Sequence, residues 1–203
     1  MNTSLLAGWI FEHLAIVLIA GVISVAVGLI LAIIGYWLPS LGKLILALAD
    51  IIQTIPSLAL LAILMIWLGL GNATMIAGLV LYSLLPIVRN THTGLLEIEP
   101  YIKDAAKGMG MTRTQRLLQV ELPLALPLIF TGVKISIVTS LGIAVLGVLI
   151  GAGGLGGPIF RGFQTENLQM LLSGAIPVII MAAIFDFFMG RIEKRLINRA
   201  ETK

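Results

Sequence analysis

The chain of 203 residues contains no cysteine. Disulfides and thiol chemistry are therefore excluded, and cysteine usage gives no guide to compartment. Charge is scarce. Asp, Glu, Lys and Arg make up 11% of the chain, where a soluble domain carries about 25%. Aromatic residues reach 6% and stand mostly near the ends of apolar runs, as at Trp9, Phe11, Tyr36, Trp37, Phe160 and Phe163. No Gly-x-x-x-x-Gly-Lys-Ser/Thr stretch occurs, so the chain has no phosphate-cradling loop of that kind. Met1 to His13 holds no Lys or Arg. The positive region of a cleavable signal is missing, and the first apolar run is expected to stay in place. The histidines, His13 and His92, fall on opposite sides of the membrane in the topology below, so no metal site is expected.

What remains is apolar: 59% hydrophobic residues and a mean hydropathy of +1.08. This predicts an all-α protein, a polytopic membrane helical bundle. About 20 apolar residues cross a bilayer. Spans are predicted at 14–37, 43–68, 73–88, 126–150 and 168–189, about five transmembrane helices. The second span carries Gln53-Thr54-Ile55-Pro56-Ser57 inside it. Pro56 frees a backbone carbonyl there and implies either a simple kink or a bend that lines a pathway. Tyr82 to Pro86 repeats the theme in the third span, which Arg89-Asn90-Thr91 closes or carries onward. Met65, Met75 and Met170 read as packing residues. No Asp, Glu or His stands at the middle of a predicted span, which argues against a proton-coupled carrier. Asp50, Lys134 and Asp186 lie near span ends, where they either pair at the interface or serve transport.

Basic residues set the orientation. Arg191, Lys194, Arg195, Arg199 and Lys203 place the C-terminal tail in the cytoplasm. With five spans the N-terminus is then outside, and the central polar stretch and the turn at Lys43 are inside. A Gly-rich stretch at 151–167 is left outside, and reads as a loop, flexible or tightly packed. Its Gly151-Ala-Gly153-Gly-Leu-Gly156 matches a dinucleotide fingerprint in letters only. That motif needs a helix start for the pyrophosphate and an acid about 20 residues on, whereas Gly157-Pro158 follows here.

The long polar segment, Pro100 to Pro123, lies between the two apolar halves. Pro100 suits the first position of a helix, predicted from Tyr101 to Met109. Gly108 and Gly110 supply the backbone freedom to end it. Thr112 with Gln115 three residues on is a capping box for a second short helix, expected to stop near Pro123. Lys103, Lys107, Arg113 and Arg116 balance Glu97, Glu99, Asp104 and Glu121. A balanced, structured loop suits a protein partner rather than nucleic acid.

This segment resembles the EAA loop of ABC-importer permeases, Glu-Ala-Ala, three residues, Gly, nine residues, Ile-x-Leu-Pro. Here it reads Asp104-Ala105-Ala106, Gly110, Val120-Glu121-Leu122-Pro123, with Asp for Glu and Val for Ile. Paired alanines are expected to leave one helix face flat for a partner. The resemblance continues in Gln53–Leu60, Leu81–Thr91, Gly108–Thr112, Val120–Pro127 and Ile150–Gly156, which look like the osmoprotectant branch that imports glycine betaine, choline and carnitine. It implies a single permease domain over 1–203, a fold of the methionine-permease type, and a cytoplasmic coupling loop at 89–125 between spans 3 and 4. It further implies a bacterial cytoplasmic (inner) membrane location and no enzyme activity. ATP and Mg would be bound by a partner, leaving no cofactor in this chain. The implied partners are two cytoplasmic ATPase subunits, a second permease chain (identical or homologous), an extracellular or periplasmic solute-binding protein and membrane lipid.

The resemblance assigns ATPase coupling to Asp104, Ala105, Ala106, Gly108, Gly110, Leu122 and Pro123. Gln53, Pro56, Tyr82 and Asn90 are candidates for the pathway or gate. Gly153, Gly154, Arg161 and Glu166 are candidates for contact with the external partner. A quaternary ammonium wants an aromatic cage, and with aromatics this sparse the cage is expected in the binding protein. The competing readings are a permease for an amino acid or a different betaine, an ATP-independent carrier, and a membrane scaffold. A carrier would need midplane ionisable groups or an internal repeat, and a scaffold would not need the proline-interrupted spans.

Overall fold

The computed structural model describes residues 3–201, with side chains over 4–198. Helix α1, Thr3–Trp37, is one apolar rod. It ends because Leu38 precedes a proline and takes an extended backbone, φ −126°. Pro39 then opens α2, Pro39–Thr54, at a position where its missing N–H costs nothing. Helix α3 is Ser57–Leu68 and α4 is Asn72–Leu96. The loop helices are α5, Pro100–Gly108, and α6, Arg113–Arg116. A π-helical turn, Leu117–Glu121, leads into α7, Leu122–Ile143, and a 3₁₀ segment, Ala144–Ile150, follows it. Helices α8, Gly156–Gln164, and α9, Leu168–Glu201, complete the described chain.

Four stretches are long and apolar enough to cross a membrane: Ser4–Trp37, Asn72–Leu96, Arg113–Ile150 and Leu168–Asn198. The fifth crossing is α2 with α3, bent by 103° at Ile55–Pro56. Helix α2 starts where α1 ends, and the turn after α3 returns to the far end, where the Gly71 N–H donates to the Ile150 carbonyl at 2.8 Å. The bundle thus has an α8 end, where α1 begins, and an α5–α6 end, where α9 finishes.

Three expectations need correction, and one open alternative is decided. Span 2 is not one helix with a kink inside it. Ile55, extended before its proline, and Pro56 break it fully. Of the two readings of the third span, the one that carries onward past Arg89 holds. Arg89 and Asn90 are paired rather than disruptive, and α4 runs to Leu96. Pro123 does not stop the second loop helix. The π-turn before it closes with the Leu122 N–H donating to the Leu117 carbonyl, five residues back. A proline is tolerated at the start of the α-helical register that follows. Finally, 151–167 is not all loop, because Pro158 sits in the first turn of α8.

Two apolar clusters hold the crossings together. The larger joins Ile16, Val17 and Ala20 of α1 with Leu61, Met75, Leu79, Leu141, Ala144 and Leu155. The smaller, at the α5–α6 end, gathers Leu95, Ile98, Leu117, Ala125 and Ile129. In lipid such contacts are held by close packing rather than by expulsion of water. Buried hydroxyls add to it: Ser83 and Ser140 meet across α4 and α7 at 3.2 Å.

Candidate functional site

The loop between the third and fourth crossings is a rigid unit. Helix α5 is closed by Gly110, whose φ of +80° is the left-handed region that favours glycine. The Met111 N–H reaches back to the Ala106 carbonyl at 3.2 Å and the Gly110 N–H to Lys107 at 2.9 Å. This is a Schellman-type end. Gly108 is simply the last helical residue, so of the two glycines only Gly110 makes the turn. The capping box is present: the Gln115 N–H donates to the Thr112 hydroxyl at 3.3 Å, and the Thr112 N–H donates to Gln115 Oε1 at 2.9 Å.

Three ties fix this unit to the bundle. Lys103 donates to the Leu95 carbonyl at 2.9 Å and stands over the Tyr36 ring. Arg113 donates to the Trp37 carbonyl at 3.1 Å and lies 5.0 Å from its ring. Arg116 pairs at 2.6 Å with Glu121, which is 1% exposed. Asp104, Ala105, Gly108, Met109 and Gly110 are left on the surface, while Ala106 is packed inward at 1% exposure. The two alanines therefore do not share a face, because neighbours on a helix point about 100° apart. Ala105 is available to a partner and Ala106 seats α5 on its own bundle. Leu122 is half-buried and Pro123 exposed at the foot of α7.

Of the pathway candidates, Gln53 and Tyr82 come together and Pro56 makes the break beside them. The Tyr82 hydroxyl donates to the Ile55 carbonyl, and Gln53 Nε2 donates to the Tyr82 carbonyl at 3.3 Å. Gln53 and Tyr82 line a pocket of ≈ 40 Å³ together with Ser83, Ser136, Thr139 and Ser140. That volume admits a few waters. Asn90 stands two helical turns farther along α4, donating to the Pro86 carbonyl at 2.8 Å. The hydroxyls of α7 were legible only as Ser136 and Ser140 spaced four apart, one face of a helix.

At the α8 end, Gly153 and Gly154 are tied inward. The Gly154 N–H donates to Glu12 Oε2 at 3.1 Å, and the Gly153 N–H donates to Asn72 Oδ1 at 2.9 Å. Asn72 also donates to Glu12 Oε1 at 3.3 Å. His13, fully buried, meets the Leu141 carbonyl at 3.1 Å. Arg161 and Glu166 are exposed on and just after α8, apart from this clasp, with Phe163 72% exposed between them. The four residues thus form two groups, a buried one and a surface one. A helix does begin at Gly156. No strand precedes the glycines among the described residues, so the dinucleotide reading still fails. Among the described residues no three metal-ligating side chains cluster.

Asp50 pairs with Arg89 at 2.5 Å, and Lys134 with Asp186 at 3.2 Å and Glu193 at 3.3 Å. All three of the span-end charges therefore have partners.

Residues 24–198 match the family model of the binding-protein-dependent transport system inner membrane component. The glycine betaine/carnitine/choline transport system permease protein OpuCD of Bacillus subtilis (strain 168) is 45% identical over 181 residues, 89% of this chain and 77% of the relative. The osmoprotectant import permease protein OsmW of Salmonella typhimurium is 36% identical over 197 residues, 95% of this chain and 92% of the relative. In fold, the chain superposes on an inward-facing structure of the MetNI methionine ABC transporter with a TM-score of 0.82 and 24% identity, covering 97% of this chain and 99% of that one. With its bundle of apolar crossings and a rigid loop between the third and fourth, the chain belongs to the binding-protein-dependent transport system inner membrane components: it is a permease subunit of an ABC transporter, a transport component rather than an enzyme.

Proposed function

We propose that this permease passes quaternary ammonium osmoprotectants (glycine betaine, choline and carnitine) through an ATP-driven importer. The observation that carries the coupling half of this reading is the exposed Asp104–Ala105–Met109 surface on a loop locked by the Gly110 turn. The solute half rests on relatives named for these compounds at 36–45% identity over most of the chain. The likeness to the methionine transporter supports the fold alone, so an amino-acid solute is the weaker reading.

In the assembled importer, two ATPase subunits receive the α5–α6 end of two permease chains, and a solute-binding protein docks at the α8 end. The Lys and Arg gathered in the last turns of α9 (Arg191, Lys194 and Arg195) and in the loop support a cytoplasmic α5–α6 end and an N-terminus outside. ATP and Mg stay with the ATPases. Closure of the ATPase pair moves α5, and the ties at Lys103, Arg113 and Arg116 hand that motion to α1, α4 and α7. The permease offers a weak, gated path, and solute selection lies in the binding protein.

Gentle solubilisation from the native membrane is expected to bring an ATPase and a binding protein along. Titration of that binding protein with glycine betaine, choline, carnitine and methionine then names the solute. Recovery with no ATPase contradicts the coupling half. A binding protein that takes methionine and none of the quaternary ammonium compounds contradicts the solute half. Orientation is read by cysteines placed at Arg161 and Glu166, which label from outside in intact cells if the α8 end is external.

A further inference from the structure

Helix α7 shows different faces to its surroundings. Ile137, Leu141 and Ala144 pack toward α1, with Ile137 against Gly21. Ile135 and Thr139, about half a turn away, look out between α4 and α9. Ile135 is 46% exposed. Two recesses open on this second face and share Ile135 and Thr139 as lining.

The first recess, ≈ 290 Å³, is the size of a small solute and is bordered by Lys134, Asp186 and Glu193. The Lys134 ammonium lies in a notch of α9 at Gly190, 3.4 Å from where a Cβ would stand. Asp186 and Glu193 flank that notch. Glu193 is 18% exposed and also accepts from the Thr131 hydroxyl, so it is the enclosed partner of Lys134, while Asp186 meets the same ammonium at 3.2 Å from the open side. Asp186 is 61% exposed. One ammonium faces two carboxylates, which leaves the cluster one negative charge in excess, carried on the more exposed acid. Surplus charge within a span is expensive and asks for a counter-charge.

The second recess holds the independent sign of a ligand. Ser136 is 2% exposed and its Oγ has no hydrogen-bond partner. A buried hydroxyl left unpaired is costly, and it is satisfied by whatever polar group enters the recess.

We propose that these joined recesses are a transit subsite for the permeant, in which Asp186 faces the quaternary ammonium and Ser136 donates to the carboxylate or hydroxyl at the solute's other end. A quaternary ammonium has no N–H to offer, so only a charge or an aromatic face attracts it. The larger recess has no aromatic in its lining, so Asp186 supplies the charge there; Tyr82 lines the smaller recess and its hydroxyl is already committed to the Ile55 carbonyl. The inference rests on the solute class proposed above and adds where this chain touches it.

The test is maximal uptake of choline, a cation, and glycine betaine, a zwitterion, by the complete importer. Wild type is compared with Asp186→Asn, Asp186→Glu and Ser136→Ala, each normalised to permease in the membrane. Asp186→Asn leaves Lys134 to Glu193 and is expected to lower choline uptake about fivefold, the scale of one exposed charge contact. Glycine betaine uptake falls less, because its carboxylate no longer meets the same repulsion. Asp186→Glu restores choline uptake, and Ser136→Ala lowers both. Wild-type uptake with an unchanged choline-to-betaine ratio in Asp186→Asn overturns the inference alone. A wild-type importer that takes up neither compound overturns the proposed solute class and this subsite together.

Discussion

The two ends of the bundle use polar residues in opposite ways. At the α8 end, buried His13, half-buried Glu12 and exposed Asn72 all bind the backbone of the Gly153–Leu155 turn. At the α5–α6 end, Asp104 and Lys107 pair with each other on the surface at 3.0 Å, with both side chains more than half exposed. The first arrangement fastens an irregular segment that would otherwise leave N–H groups unsatisfied at the end of a span. The second leaves a surface open to a partner. Lys103, Arg113 and Arg116 are the exceptions at the open end, and the most enclosed of them is the Arg116–Glu121 pair. It is buried, spans the π-turn, and joins the docking loop to α7. Residues five apart stack on one another in a π-turn but diverge in an α-helix, so this pair and the turn support each other.

Breaking this contrast should cost most at that pair. Arg116→Ala leaves the buried Glu121 carboxylate without its cation, with only the Tyr36 hydroxyl beside it, and is expected to lower stability by about 3 kcal/mol, read as a fall in the melting temperature of the purified permease. Next comes the clasp. Glu12→Ala removes the acceptor for Gly154 and Asn72 and should cost about 1–3 kcal/mol, with faster proteolysis near the 151–155 turn. A Cβ at Gly110 meets no atom within 4 Å, so the main cost of Gly110→Val is the left-handed backbone, about 1–2 kcal/mol. That variant should insert normally and lose transport, and normal uptake would remove Gly110 from coupling. Lys107→Ala breaks a surface pair and is expected to change stability by less than about 1 kcal/mol. A larger loss would mean that the α5–α6 end is held together by its surface charges.

How far the sequence reveals this division depends on how local each cause is. The capping box at Thr112 and Gln115 and the glycine turn at Gly110 involve neighbours a few residues apart, and both were legible. So were the number of crossings and the polar loop between them. The break at Pro56 was not, because a kink and a full break differ in what receives the freed Ile55 carbonyl, and that partner is Tyr82, on another helix. The π-turn was missed because one extra residue per turn leaves no composition signal. The burial of His13 and the backbone tie of Glu12 depend on groups more than a hundred residues away. The paired alanines were misjudged for a geometric reason, since adjacent helical positions cannot lie on one face.

The central claim is that the α5–α6 end receives an ATPase through the exposed side of α5. Because the chain has no cysteine, single Ala105→Cys and Ala106→Cys variants can be labelled with a maleimide, with and without the ATPase bound. The account predicts that Ala105→Cys labels quickly in the free permease and is protected in the assembled importer, while Ala106→Cys labels slowly in both. Equal labelling of Ala105→Cys in the two states would place the ATPase elsewhere and contradict it.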